Sequence, residues 1–493
     1  MTHRPASWTT TNLGMVCGKG QYGWTTKAAD HGIVKYLRTT DITKGSIKWQ
    51  SVPYCQEVPP DREKYLIRAD DILISRAGSV GFSVLISSPP SPTVFASYLI
   101  RYVPCEHVVP KFIAYFLRTM DYWDQIDIAA SGIALANVNA AKLAEVAVPL
   151  APLPEQARIA DKLDTILARV DACGGRLDRL PTILKLFRQS VLAAATSGNL
   201  TENWRGQFPQ SVDSQGLVDE IHAAHKAAGG HKAGNAAAPT EDVHDLSVAM
   251  FPKGWGLLTL RDVVLPDRPI TYGILKPGPE LEMGVPYVRV ADFPGNKLNL
   301  ATIRKTSPQM DEEFKRSRLR PGDLLLSIRG TVGRLVVIPD ELAGANITQD
   351  SARLSVQSKV SHEYVLWYLR SSMAQDRMKG STKGVAVRGI NIGDVRALQL
   401  PFPSRAEQDE IVRRVEVLFA LADRLEAHYT TARTQVEKLT PSLLAKAFRG
   451  DLVSQDPNDE PASALLARIG KQRGAQTSTK SKRGRKMAAT SEP

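Results

Sequence analysis

Apolar residues along this chain fall into two patterns, and each pattern occurs twice. In the first, short apolar runs are broken by Gly and Pro. They are Ile72–Ser75, Phe82–Ser87 and Tyr98–Val103, then Leu324–Ile328, Leu335–Ile338 and Ala352–Val356. Runs of this length between turn residues predict strands. "VPKFIAYFLRTM" and "SHEYVLWYLRSSM" each predict one amphipathic helix. The two together predict a mixed α+β globule.

The second pattern is a heptad. Ile159, Leu163, Ile166, Val170, Cys173, Leu177, Leu180, Leu184, Phe187 and Val191 follow in alternating steps of four and three. Ile411, Val415, Leu418, Ala422, Leu425, Tyr429, Ala432, Val436, Leu439 and Leu443 repeat those steps. Sustained a/d spacing predicts a coiled-coil seam. Each seam corresponds to roughly 50 Å of helix at about 1.5 Å per residue. Pro181 and Pro441 lie within the heptads, which predicts kinks rather than ends. Gly198-Asn199 and Gly450-Asp451 supply the stops.

The duplication extends beyond pattern. "DILISRAGSVG" from Asp71 returns as "DLLLSIRGTVG" from Asp323, an offset of 252. The same offset carries Glu155-Gln156 onto Glu407-Gln408, and "SVLAAATSGNL" onto "SLLAKAFRGDL". Upstream it shrinks to 251 for Tyr36, Arg38 and Asp41, and to 250 for Tyr22-Gly23 onto Tyr272-Gly273. The chain is therefore two copies of a globule-plus-helix unit. The expected division is 1–154 globule, 155–205 helix, 206–249 linker, 250–404 globule, 405–467 helix and 468–493 tail. The order globule, helix, globule, helix makes the helices antiparallel if they pair. The globules then lie at opposite ends of a rod. The Ala/Gly-rich linker and the Lys/Arg-rich tail are low in complexity, and the tail is expected to be disordered.

Composition changes this picture in one respect. The 493 residues carry 63 Lys/Arg against 51 Asp/Glu, a net +12. By segment the globules hold +3 and +7, the helices +2 and −3, the linker −4 and the tail +7. Basic globules suit a phosphate backbone, and near-neutral helices suit protein packing. The four cysteines are scattered without a CxxC, which fits reduced thiols in a cytosol. No stretch approaches 18 apolar residues, so no membrane span is expected.

Catalytic and metal motifs fail on context. "GKGQYG" at Gly18–Gly23 lacks the following helix that a dinucleotide site needs. His222, His225 and His231 have metal-like spacing but fall in the linker, where a solvated segment is expected. "SPPS" at Ser88–Ser91 lacks the aromatic residue that would stack a flipped base. Glu313 and Lys315 form an ExK without a nearby Pro-Asp, leaving a nuclease as a third, weaker class. No P-loop is present. No catalytic, metal or cofactor site is expected in the chain.

The candidate functional residues are duplicated loops instead. Ser75, Arg76 and Ser79 in "SRAGSVG", and Ser327, Arg329, Thr331 and the adjoining Arg334 around "SIRGTVG", combine hydroxyls, glycines and arginines. Such loops suit phosphate or guanine contact, and equally suit tight hairpin turns. Tyr22, Tyr272, Arg38 and Arg289 join the candidates, the arginines with a structural ion-pair alternative to Asp41 and Asp292. Lys379, Lys383 and Arg388 lie on or beside "STKGVAVRGIN", whose counterpart "SGIALANVN" has no cation. A shared frame with divergent polar groups is what two different readout surfaces require.

The chain resembles the specificity subunit of type I restriction-modification systems. The residues carrying the likeness are "PLPEQARIADKLDTIL" and "PFPSRAEQDEIVRRVEVLF" opening the helices, and "SGNLTENWR" and "RGDLVSQDPNDEPASALLARI" closing them. "FPKGWGLLTLRDV" and the paired "DDILISRAGSVG" and "GDLLLSIRGTVG" complete it. The likeness covers about residues 1–205 and 250–470, with Pro5 and Trp8 against Pro252 and Trp255 at the less similar start. It implies two tandem target recognition domains separated by long helices in an antiparallel coiled coil. Each domain would read half of a bipartite double-stranded DNA site. The helices would set the spacer and dock two methyltransferase subunits, with two motor-nuclease subunits completing the complex. S-adenosylmethionine, ATP and Mg²⁺ would belong to those partners, in a prokaryotic cytoplasm. The alternative class is a non-enzymatic coiled-coil scaffold without DNA readout.

Overall fold

The computed structural model describes residues 4–43, 45–130, 137–228, 246–380 and 389–473. They form two compact units. One is Met1–Asp178 with Thr430–Pro493, and the other is the continuous stretch Arg179–Tyr429. The boundary falls inside both long helices. Each unit is therefore not a globule with its own whole helix, as the repeat suggested. It is a globule with the first part of the helix that follows it and the last part of the other helix.

The centre of the first unit is the strand Ile72–Ser75, in a four-stranded sheet with Gln21–Tyr22, Leu99–Tyr102 and Ser83–Leu85. All four of its residues are buried. Ile72 and Ile74 face a core with the helices Pro110–Phe116 and Met120–Ala130, while Leu73 faces a second small core. Burial on both faces is why the run shows no alternation of polar residues. Leu324–Ser327 repeats this in the second unit, with Leu324 and Leu326 in one core and Leu325 in another. A further sheet in each unit contains Lys35–Leu37 or Val285–Val288. The N-terminal strands also agree. Thr9–Asn12 pairs antiparallel with Ala147–Leu150, and Gly256–Thr259 with Gln399–Phe402. Trp8 thus corresponds to Trp255 at an offset of 247. The duplicated Tyr-Gly pairs have a steric cause. A Cβ on Gly23 would collide with the Phe95 carbonyl, and one on Gly273 with that of Ile347.

The first long helical stretch is Leu153–Leu177 followed by Leu180–Ser197. The intervening Asp178 and Arg179 keep right-handed helical torsions, so the stretch bends rather than stops. Pro181 has no N–H for the Leu177 carbonyl, which places the interruption there. Pro441 causes no break in Arg405–Arg449.

Within each unit the helical pieces run antiparallel. In the first, Arg433 pairs with Asp178 at 3.1 Å, and Leu163 and Leu167 share a core with Leu444, Ala447 and Phe448. In the second, Arg188 pairs with Asp423 at 2.6 Å, and Arg414 donates to the Leu200 carbonyl at 2.7 Å. Ile159, Leu163, Leu184, Ile411 and Val415 are buried seam residues, and Ile166, Val170, Leu177, Leu418 and Val436 are half-buried. Cys173, Leu425 and Leu439 depart from the expected seam and are exposed. Gly174 and Leu167 are buried instead. The departure is local, because the later seam positions Leu184 and Val191 are buried again.

Residues 206–228 correct the expected linker. Gln215–Ala227 is a helix whose Val218 and Ile221 are buried beside Trp255 and Leu258. His225 Nε2 lies 3.0 Å from the Asp262 carbonyl and 3.1 Å from that of Val264, so it is a packed residue rather than a solvated one. Residues 462–473 form the matching helix of the first unit, with Leu465 and Ile469 buried. This shortens the expected tail; residues 474–493, like His231, lie outside the described residues. Among the described residues no helix is long and apolar enough to cross a membrane.

Leu163→Ala should lower stability by about 2–5 kcal/mol through the cavity it leaves. Leu425→Ala should change it by less than about 0.5 kcal/mol. Denaturant midpoints of the full chain read both, and equal losses would contradict the seam described here.

Candidate functional site

The hairpin turns after the two central strands are built by backbone bonds. Ser75 N–H donates to the Phe82 carbonyl at 2.8 Å, and Gly81 N–H to the Ser75 carbonyl at 2.9 Å. Ser327 and Gly333 repeat the arrangement at 2.9 and 3.0 Å, with Arg334 and Ser327 as acceptors. Gly78, Gly81, Gly330 and Gly333 all have positive φ, between 71° and 93°. Both serines are fully buried. Ser75 Oγ donates to the Ala77 carbonyl at 3.1 Å; Ser327 Oγ donates to that of Thr331 and accepts from Arg334 N–H. Ser75 and Ser327 are thus turn-forming groups, not surface contacts. A helix closes on each turn, through Tyr122 Oη to the Gly81 carbonyl at 2.7 Å and Gln375 Nε2 to the Gly333 carbonyl at 2.9 Å.

Arg38 and Arg289 also resolve to the structural alternative. Arg38 donates to both Asp41 carboxylate oxygens at 3.1 Å, and Arg289 to those of Asp292 at 3.1 and 2.6 Å. The carboxylates hold both guanidinium groups even more firmly protonated than usual. Each pair caps the short helical turn that it begins.

The other candidates remain at the surface or part-way to it. Tyr22 is 40% exposed and Tyr272 44%. The Arg76 guanidinium lies 5.1 Å from the Tyr22 ring centre, a cation–π contact. Arg329 is exposed, and its Nη1 donates to Gln349 Oε1 at 2.9 Å. Ser79 and Arg334 are half-buried and Thr331 is exposed. Lys379 is exposed, 3.5 Å from Asp376. Lys383 and Arg388 lie outside the described residues.

The structure also joins residues whose partnership was not foreseen. Trp8 Nε1 donates to Glu155 at 3.0 Å, and Trp255 Nε1 to Glu407 at 2.9 Å. Both carboxylates are buried. Gln455 supplies a second donor to Glu155 at 2.5 Å, and Arg205 and Thr201 serve Glu407 at 2.6 and 2.7 Å. The neighbouring glutamines act likewise: Gln156 Oε1 accepts from Val109 N–H at 3.0 Å, and Gln408 Oε1 from Ser361 N–H at 2.8 Å. The matched offsets of Trp8/Trp255 and Glu155/Glu407 were the available signal.

Among the described residues no three His, Cys, Asp or Glu are placed to hold a metal. Glu313 and Lys315 border a shallow surface depression of about 500 Å³, where Lys315 pairs with Glu312 at 2.8 Å. Cys17 and Cys55 are buried free thiols, the latter pushed up to about 11 by burial.

Arg289→Ala should act on stability, costing roughly 1–3 kcal/mol because Asp292 stays buried without its donor. Equilibrium denaturation measures it. Burial pushes the Glu155 carboxyl above the usual carboxylate range. The folded chain then holds that proton more tightly than the unfolded one. Stability from this group is greatest below its ordinary 4.5 and is lost as pH rises through the raised value. Glu155→Gln should flatten that slope; an unaltered acid-range profile would contradict it.

Comparison with known proteins extends this description. The profile of the type I restriction modification DNA specificity domain matches residues 5–181 and 252–432. The type I restriction enzyme EcoBI specificity subunit of Escherichia coli is 31% identical over 461 residues, covering 91% of this chain and 88% of that protein. The EcoKI specificity subunit of Escherichia coli K12 is 30% identical, covering 91% and 90%. The crystal structure of the HsdS subunit from Thermoanaerobacter tengcongensis aligns with a TM-score of 0.56 at 20% identity, over 91% of this chain and 98% of that one. A chain from a study of complex assembly and conformational transition in a type I R-M system aligns at 0.57 and 19%, over 91% and 99%.

Proposed function

The chain belongs to the type I restriction modification DNA specificity domain family, and on that premise we propose that it is the DNA sequence-specificity subunit of a type I restriction-modification complex. Each domain reads one half of a bipartite site in double-stranded DNA. The observation that carries the reading is the duplication itself. Two domains share one frame, down to the turns at Ser75 and Ser327, while the exposed residues on that frame differ. A protein recognising two unlike half-sites requires that combination.

The chain's own contribution is recognition and assembly rather than chemistry. The buried residues around the turns hold strand ends in place, so exposed side chains meet DNA with little loss of freedom. The basic balance of the domains supplies phosphate attraction. The antiparallel helices set the spacer between half-sites and dock two methyltransferase subunits, with two motor-nuclease subunits joining them. S-adenosylmethionine, ATP and Mg²⁺ act in those partners, in the cytoplasm.

A methylome of cells with and without this chain should differ by one split adenine motif; no difference would overturn the proposal. Replacing residues 250–400 by the equivalent domain of a relative should alter one half-site only. Adding one heptad to both helices should lengthen the unspecified spacer. An unchanged spacer in the same sequencing would show that the helices do not set it.

A further inference from the structure

The two units carry the same exposed sheet corner, and only its side chains differ. In the first, Arg76 N–H donates to the Tyr98 carbonyl at 2.9 Å, and Ala77 pairs with Asn137. In the second, Ile328 N–H donates to the Asp350 carbonyl at 2.8 Å, and Arg329 pairs with Gly389. The parallel bridges Trp24–Ala96 and Ile274–Thr348 complete the frame beside Tyr22 and Tyr272. An offset of 252 then sets Ala77 against Arg329 and Ser97 against Gln349.

Arg329 differs from the other loop candidates in how it is held. Its stem runs along Gly389, where a Cβ would come within 3.2 Å of Arg329 Cγ. Its Nη1 is fixed by the Gln349 amide oxygen at 2.9 Å, and Gln349 is half-buried. Among the described residues its guanidinium bonds to Gln349 and forms no ion pair with a carboxylate. A guanidinium held on one nitrogen, exposed and without an acid, presents an oriented fork. Such a fork matches the O6 and N7 acceptors of guanine in the major groove.

We infer that Arg329, positioned by Gln349, is a specificity-determining residue that reads a guanine in the half-site of the second domain. This rests on the DNA-reading assignment above. The first domain has Ala77 and Ser97 in the same places and so has no guanidinium fork there. Its cation lies one residue earlier, at Arg76, in the place that Ile328 fills with core packing just after the strand. The two domains therefore differ by moving an arginine one position along the segment that follows the same strand, from the Tyr22 ring to the Gln349 amide.

The test is the methylated motif of cells expressing the full chain with its native methyltransferase partner. Arg329→Ala should make one guanine of one half-site degenerate, with a roughly 5- to 150-fold loss of preference there and no change elsewhere. Gln349→Ala should weaken preference at that same position. An intact motif, or lower methylation at every site alike, would mean a structural or phosphate-contact role and would overturn the assignment. If Arg329→Ala abolishes methylation altogether, Gln349→Ala decides, because its motif must change at that single position or the inference falls. Should the wild-type chain itself direct no split motif, the DNA-reading assignment has failed rather than the choice of residue.

Discussion

Everything else in the fold hangs on a buried carboxylate at the start of each long helix. Glu155 and Glu407 accept an indole N–H from the N-terminal strand region of their own unit. Each also accepts from a segment that follows the far end of the other helical piece, through Gln455 or Arg205. One side chain thereby ties together the beginning of a globule, the helix leaving it and the segment that closes the unit. Gln156 and Gln408, one residue on, fasten the same helix starts to the N-termini of the helices Pro110–Phe116 and His362–Arg370. A buried carboxylate is tolerable only with such donors around it, and truncating any donor leaves the charge exposed to an apolar surrounding.

Much of this was legible as repetition. The offset of 252 identified two matched halves, and the heptads identified the helices. Repeated spacing does not say which half of which helix packs on which globule. That exchange depends on contacts between residues such as Leu163 and Phe448, far apart in the chain. Composition misled at 206–228, where Ala and Gly conceal a helix whose Val218 and Ile221 are core residues. The loop hydroxyls misled differently. Ser75 and Ser327 stand in a glycine-rich turn that looks the same whether its hydroxyl faces a ligand or its own backbone. The paired Arg38 and Arg289 were ambiguous for a related reason, since a cation three residues before an acid suits both a cap and a surface patch.

The surviving functional signal is difference on a constant frame. Turn glycines, central strands and helix anchors agree between the units because they hold the frame. Arg329 and its counterpart Ala77 do not agree, and Arg329 stands exposed at the corner of the sheet. On the proposed reading, divergence marks recognition here, while identity marks scaffold. That inverts the usual habit of searching for function among the residues that match best.

The division of the chain into units also has a temporal side. The second unit is continuous from Arg179 to Tyr429, whereas the first is assembled from both ends of the polypeptide. During synthesis, Leu163 and Leu167 emerge long before Leu444, Ala447 and Phe448 exist to cover them. At roughly 5–20 residues per second, that apolar helix face waits on the order of tens of seconds for its mates. The second unit is free to finish first. A chain cut short before Leu444 would keep that helix face bare and would lack the Gln455 donor to Glu155.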